Sequence, residues 1–77
     1  MDHIAITTPF IRLEAALKLA SVAGSGGMAK QMILDGCVEV NSVIEIRRGR
    51  KLYPGDNFCL CIENQRHSFM IVSEEPA

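Results

Sequence analysis

Apolar residues recur along this chain with two different periods, and the switches between them mark out its elements. Phe10, Leu13, Leu17 and Ala20 stand three, four and three residues apart with Ala16 beside them, which predicts a short amphipathic helix over roughly Leu13 to Ala20. Glu14 then falls in its first turn and Lys18 in its last, matching the helix dipole at both ends. Ala29, Met32 and Ile33 fall at i, i+3 and i+4 and give a second helix an apolar face, while Lys30 and Gln31 point elsewhere. Ser25 is placed to cap that helix by accepting a hydrogen bond from a first-turn amide, and Gly26 and Gly27 leave the start uncovered by side chains. Gly36 ends it as a left-handed stop. The link Val22-Ala23-Gly24 is so short that the two helices must pack closely.

Beyond Gly36 the period changes to two. Val38 and Val40 share one face with Glu39 on the other, Asn41-Ser42 is a turn signal, and Val43 to Ile46 is a second extended segment. After the turn Pro54-Gly55-Asp56, Phe58, Leu60 and Ile62 alternate as a third strand, Glu63 to Arg66 makes a turn, and Phe69 and Ile71 are the inward positions of a last strand. At the N-terminus Ile4 and Ile6 alternate, as an edge strand or an untethered end would, and Ser73 to Ala77 are expected to fray.

Seventy-seven residues make one domain, 1 to 77. A chain of this size buries only about 60% of its unfolded surface and has little room for an enclosed catalytic cleft, so a surface-binding role is expected. No apolar run is long enough to cross a bilayer and no signal peptide is evident, so the expected setting is a soluble protein in the cytoplasm. Cys37, Cys59 and Cys61 show no metal-type spacing; Cys59 and Cys61 share a strand face, where free cysteine behaves as a small apolar residue. His3 and His67 are isolated, so neither a metal site, a catalytic constellation nor a cofactor is expected.

The net charge of −1 is unevenly spread. Residues 12 to 51 carry seven cations against four carboxylates, a net of +3, whereas residues 52 to 77 come to −3. A chain so divided can bind a polyanion locally despite its total charge. Half of the eight basic residues stand together as Arg47, Arg48, Arg50 and Lys51, with no acid inside the run. A solvated charge run is the ordinary reading. The preference for arginine, whose planar fork suits bidentate contact with phosphate, favours nucleic acid instead. Gly49 interrupts the run, and because glycine accepts positive φ at low cost, the four cations can converge from a loop. On this reading, replacing all four by alanine removes most binding and barely changes stability. The bare start at Ser25, Gly26 and Gly27 is a candidate anion site, with Lys30, Gln31 and Lys18 as second-rank contacts against ordinary surface residues. Tyr53 beside its Pro-Gly turn either stacks on a base or, as lone aromatics more often do, covers the core.

The helix opening at Ser25, Ala29 with Met32-Ile33, the Gly36 stop, Val38-x-Val40-Asn41 and the later Pro54-Gly55-Asp56 together resemble the RNA-binding domain named after ribosomal small-subunit protein four, here the S-four domain. The likeness runs from about Ile11 to about Ile62, and RRGRKLYPGD is especially similar to short stand-alone bacterial members. The family pattern keeps Phe10-Ile11 extended and begins the first helix near Arg12. Many members carry arginine directly after the capping serine, where this chain has Gly26, so backbone amides would replace a side chain there. The resemblance implies an α+β fold, two short helices on one side of a small, mostly antiparallel sheet (the alpha-L RNA-binding motif), with its core over about 11–72. It also implies a non-enzymatic RNA-binding role on ribosomal or transfer RNA, or on ribosomal particles, in ribosome assembly or translation. No membrane or small-molecule partner is expected. Duplex RNA is read largely by shape and phosphate position, which suits a chain rich in placed cations and poor in aromatic platforms. Two rivals are a protein-interaction module docking its arginine loop on an acidic partner and an accessory subunit of an RNA-modifying enzyme; a chain with its own Met1 and no linker favours a stand-alone protein.

Overall fold

The computed structural model describes residues 1–74. Seven strands and two helices follow one another as β1 (Asp2–Ile6), β2 (Ile11–Arg12), α1 (Leu13–Leu19), α2 (Gly26–Leu34), β3 (Val38–Val40), β4 (Val43–Ile44), β5 (Lys51–Leu52), β6 (Asn57–Ile62) and β7 (Gln65–Ser73). Five strands form one sheet in the order β1-β7-β6-β3-β4, antiparallel except where β1 runs parallel to β7. β2 and β5 form a separate antiparallel pair, Ile11 opposite Leu52 and Arg12 opposite Lys51. This is the small α+β fold expected, with one parallel edge.

The helices form where the apolar spacing placed them. Leu13, Ala16 and Leu17 of α1 and Ala29 and Ile33 of α2 are buried against Val38, Val40, Phe58, Leu60, Phe69 and Ile71 from the sheet. Each fully buried Leu, Ile or Phe among them is worth about 1.5–3 kcal/mol over leaving it in water. Phe58 and Phe69, opposite each other on β6 and β7, stack with ring centroids 5.0 Å apart. The N-terminal segment is tethered: β1 lies on the sheet edge and adds Ile4 and Ile6 to the core.

Two hairpins turn through two residues each, Asn41-Ser42 and Glu63-Asn64, all four at positive φ. That is the type I′ geometry, whose twist matches the flanking strands. The second turn is therefore tighter than the expected Glu63 to Arg66, because Gln65 and Arg66 already pair with Ile62 and Cys61. Two further expectations are corrected. The segment after Ser42 is strand only over Val43–Ile44; one more bond, from the Glu45 amide to the Val38 carbonyl, follows before the chain leaves β3. Ser73 is not frayed: it pairs with Ile6, and the Glu74 amide donates to the Ile6 carbonyl at 2.9 Å. Residues 75–77, where fraying was also expected, lie outside the described residues. Among the described residues no helix is long and apolar enough to cross a membrane.

Candidate functional site

The basic run is tied to the first turn of α1. Arg12, at the N-cap position, makes no side-chain capping bond, and the orphan amides of Leu13 and Glu14 donate instead to the carbonyls of Arg50 (2.8 Å) and Arg48 (3.1 Å). The loop's backbone is thus spent on capping α1. Lys51 belongs to β5 and not to the loop, so a two-residue ladder fixes one end of the run.

Glu45 fixes the other end. Its amide donates to the Val38 carbonyl at 3.0 Å, which prolongs the β3 pairing past β4 and brings its side chain to a position only 8% exposed. Its carboxylate accepts from Arg47 Nε and Nη2, both at 3.0 Å, from the Arg47 amide at 3.1 Å and from Arg50 Nη1 at 2.7 Å. Arg47 nevertheless remains 71% exposed, and the clamp uses two of its five guanidinium N–H donors. The remaining edge is free to meet an anion from outside. Two of the four cations are therefore partly neutralised by an acid just outside the run, a counter-charge that the absence of acids within it concealed.

Those contacts hold the Glu45 carboxyl down at about 2, chiefly through the Arg47 side chain and further through Arg50, against the opposing effect of burial. A carboxyl depressed by folding adds stability that is complete above its unfolded value, about 4.3, and fades as pH falls towards the folded one. Thermal melts of the parent protein are accordingly expected to lose more stability between about pH 4.5 and pH 2 than melts of Glu45→Gln. Equal acid sensitivity would show that the clamp contributes nothing.

Arg48 is 4.0 Å from Glu14 and mostly exposed. Lys51 Nζ sits 4.8 Å from the centroid of the Phe10 ring and Arg12 Cζ 5.7 Å from it, cation–π distances both. Arg12 also donates to the Gly49 carbonyl at 3.0 Å. Gly49 does not take positive φ as expected; the glycines that do are Gly36 and Gly55. A Cβ on Gly49 would meet Arg12 Nη1 at an ordinary 3.5 Å, so its conformation is not what shapes the loop. Tyr53 does not cover the core: it is 47% exposed and packs on Phe10, ring centroids 5.9 Å apart. A shallow groove of about 540 Å³ runs between Arg47, Gly49, Arg50, Lys51 and Tyr53. Arg12, Phe10 and Glu45 belong to this cluster and escaped the sequence reading. The only local hint was an acid at an inward strand position two residues before an arginine.

The second candidate group lies on the helices. Ser25 caps α2, its Oγ accepting from the Met28 amide at 3.2 Å. Among the described residues the amides of Gly26 and Gly27 have no partner, and a Cβ on either would meet nothing closer than 3.9 Å. Lys30 and Gln31 are exposed, though Gln31 donates to Asp35 at 2.7 Å, an ordinary one-turn helix pair. Lys18 is exposed in the last turn of α1. Among the described residues no hydrogen bond or ion pair joins the two groups. The basic loop hangs on the first turn of α1, and the link into α2 on its last, where the amides of Val22 and Ala23 donate to the Leu17 carbonyl. From Leu13 to Leu17 these anchor points stand about 6 Å apart along α1.

Arg47 and Arg50 on Glu45, Arg48 beside Glu14, and Arg12 and Lys51 against Phe10 thus bring five cations together around an open groove rather than an enclosed cavity. The S4 domain model matches residues 4–68, and the chain belongs to the S4 domain family. It is 53% identical over 55 residues to a protein of Bacillus subtilis (strain 168) named "Probable ribosome maturation protein RlbA", a match that covers 71% of this chain and 78% of that protein. Membership and likeness together support an RNA-binding or ribosome-related role.

Proposed function

We propose that this domain binds structured ribosomal RNA during ribosome assembly in the bacterial cytoplasm, through phosphates met by Arg47, Arg48, Arg50 and Lys51, and that it has no catalytic role. The observation that carries the reading is the Glu45 clamp: it holds two arginines at fixed spacing while leaving the outer edge of Arg47 free. Cations at fixed positions suit an RNA whose phosphates are also fixed, as in a folded duplex. The name of the Bacillus relative favours ribosomal over transfer RNA. Crosslinking in cells followed by sequencing of the attached RNA tests this. Reads concentrated at one ribosomal RNA site are expected. Reads confined to transfer RNA would move the protein to a translation step, and recovery of an acidic protein without RNA would make the loop a protein-docking site.

The start of α2 enters the same proposal as a second contact, with Ser25 shaping it, the Gly26 and Gly27 amides facing a phosphate, and Lys30, Gln31 and Lys18 flanking it. One RNA strand would then run along α1 between the two anchor points. Gly27→Glu tests this arm. The substitution meets no steric barrier, and an acid in the first turn favours the helix by about 0.3–1 kcal/mol, so stability should hold or rise. RNA affinity should nevertheless fall several-fold. The same charge change at the exposed Gln65 of the β6–β7 hairpin, Gln65→Glu, is the control for a general charge effect. Unchanged RNA affinity in a stable Gly27→Glu protein would remove the helix start from the interface.

A further inference from the structure

We propose that the corner formed by Tyr53 and Phe10 is a stacking site for one unpaired nucleotide, its base laid on the open face of Tyr53 and its phosphate against Lys51 and Arg47. The inference rests on the reading of the basic loop as an RNA contact and adds to it a kind of RNA: a duplex interrupted by a base free to leave the stack.

Tyr53 is the exposed aromatic of this corner, and the fold holds it in place without covering it. Its amide donates to Asp56 Oδ2 at 2.8 Å, and the Asp56 amide returns a bond to the Tyr53 carbonyl at 2.8 Å, closing the Pro54-Gly55 turn. Asp56 Oδ1 in turn accepts from Asn41 at 3.2 Å, so the turn is braced from the β3–β4 hairpin. The Phe10 ring supports Tyr53 from one side at an interplanar angle of 50°. Among the described residues the Tyr53 hydroxyl has no partner, so no internal bond accounts for an aromatic held half in water.

Phe10 has both cations, Lys51 and Arg12, at its ring, which leaves Tyr53 as the platform and Phe10 as its support. The adjoining groove is lined by Arg47, Gly49, Arg50 and Lys51. Its volume of about 540 Å³ falls within the roughly 300–1,000 Å³ of sites that take small ligands, enough for a single nucleotide. Paired bases present no free face to an aromatic ring, whereas an unpaired base stacks on one whatever its identity. An aromatic platform with cations on its rim therefore selects for an unpaired nucleotide next to a phosphate backbone.

The chain has one tyrosine and no tryptophan, so tyrosine emission reports this position alone. The probes are two RNA hairpins, one fully paired and one identical except for a single bulged adenosine. The parent protein is expected to bind the bulged hairpin more tightly, by about 5- to 150-fold, with quenching of tyrosine emission. Tyr53→Leu should bind the paired hairpin as the parent does and lose the preference, while Tyr53→Phe keeps it. A thermal melt of each variant confirms the fold. Equal binding of both hairpins by the parent, with emission unquenched, would overturn the stacking site and leave the phosphate contacts standing. Failure of the parent to bind either hairpin would overturn both readings together.

Discussion

Replacing Arg47 and Arg50 together by alanine is expected to lower the stability of the domain by about 3 kcal/mol, because it leaves the buried Glu45 carboxylate with the backbone amide of residue 47 and neither of its guanidinium partners. For a domain of this size that is a fall in Tm of roughly 12 to 24 °C. The size of the loss comes from the acid left behind rather than from the arginines removed, and that distinction can be measured. Adding Glu45→Gln to the pair replaces a stranded charge by a neutral amide and should restore most of the stability. A double variant as stable as the parent would mean that Glu45 swings into water once released and that the clamp is ornamental. The charge run taken alone predicts the opposite outcome, since substitutions in an exposed run typically change stability by no more than about 0.5 kcal/mol each. The consequence for functional tests is direct: alanine at all four positions damages the fold and the RNA contact at once, and cannot separate them.

The elements legible in the sequence were those set by local spacing. The faces of α1 and α2, the Ser25 cap, the Gly36 stop and the Asn41-Ser42 turn each depend on residues within a few positions of one another, and each stands where the spacing placed it. The site was legible in its charges and illegible in its arrangement. β2 and β5 are two residues long, too short for any period, and Arg12 meets Lys51 across 39 positions of chain. The position of Glu45 opposite Val38 likewise follows from a ladder bond that no neighbouring residue announces. Gly49 suggests a loop shaped by conformational freedom, whereas Glu45 and the carbonyls that cap α1 shape it. A lone aromatic beside a turn points to the core, but Tyr53 packs instead on Phe10, a partner 43 positions away in the chain.

The second large effect is the response of RNA binding to salt. Contacts to about four phosphates release counterions on binding, so affinity should fall roughly 50- to 150-fold between 50 and 200 mM salt. Arg48 and Lys51 are the residues with which to dissect it. Neither donates to Glu45, so removing them leaves the clamp and the fold intact.

The most direct measurement is therefore RNA affinity against salt concentration for the parent protein and for Arg48→Ala/Lys51→Ala, using the RNA recovered by crosslinking. The expected result is a log–log slope near −3 for the parent, shallower by about 1.4 to 1.8 in a variant of unchanged Tm. A flat response in the parent, or the same slope and affinity in both proteins, would contradict the claim that this loop holds RNA by its phosphates.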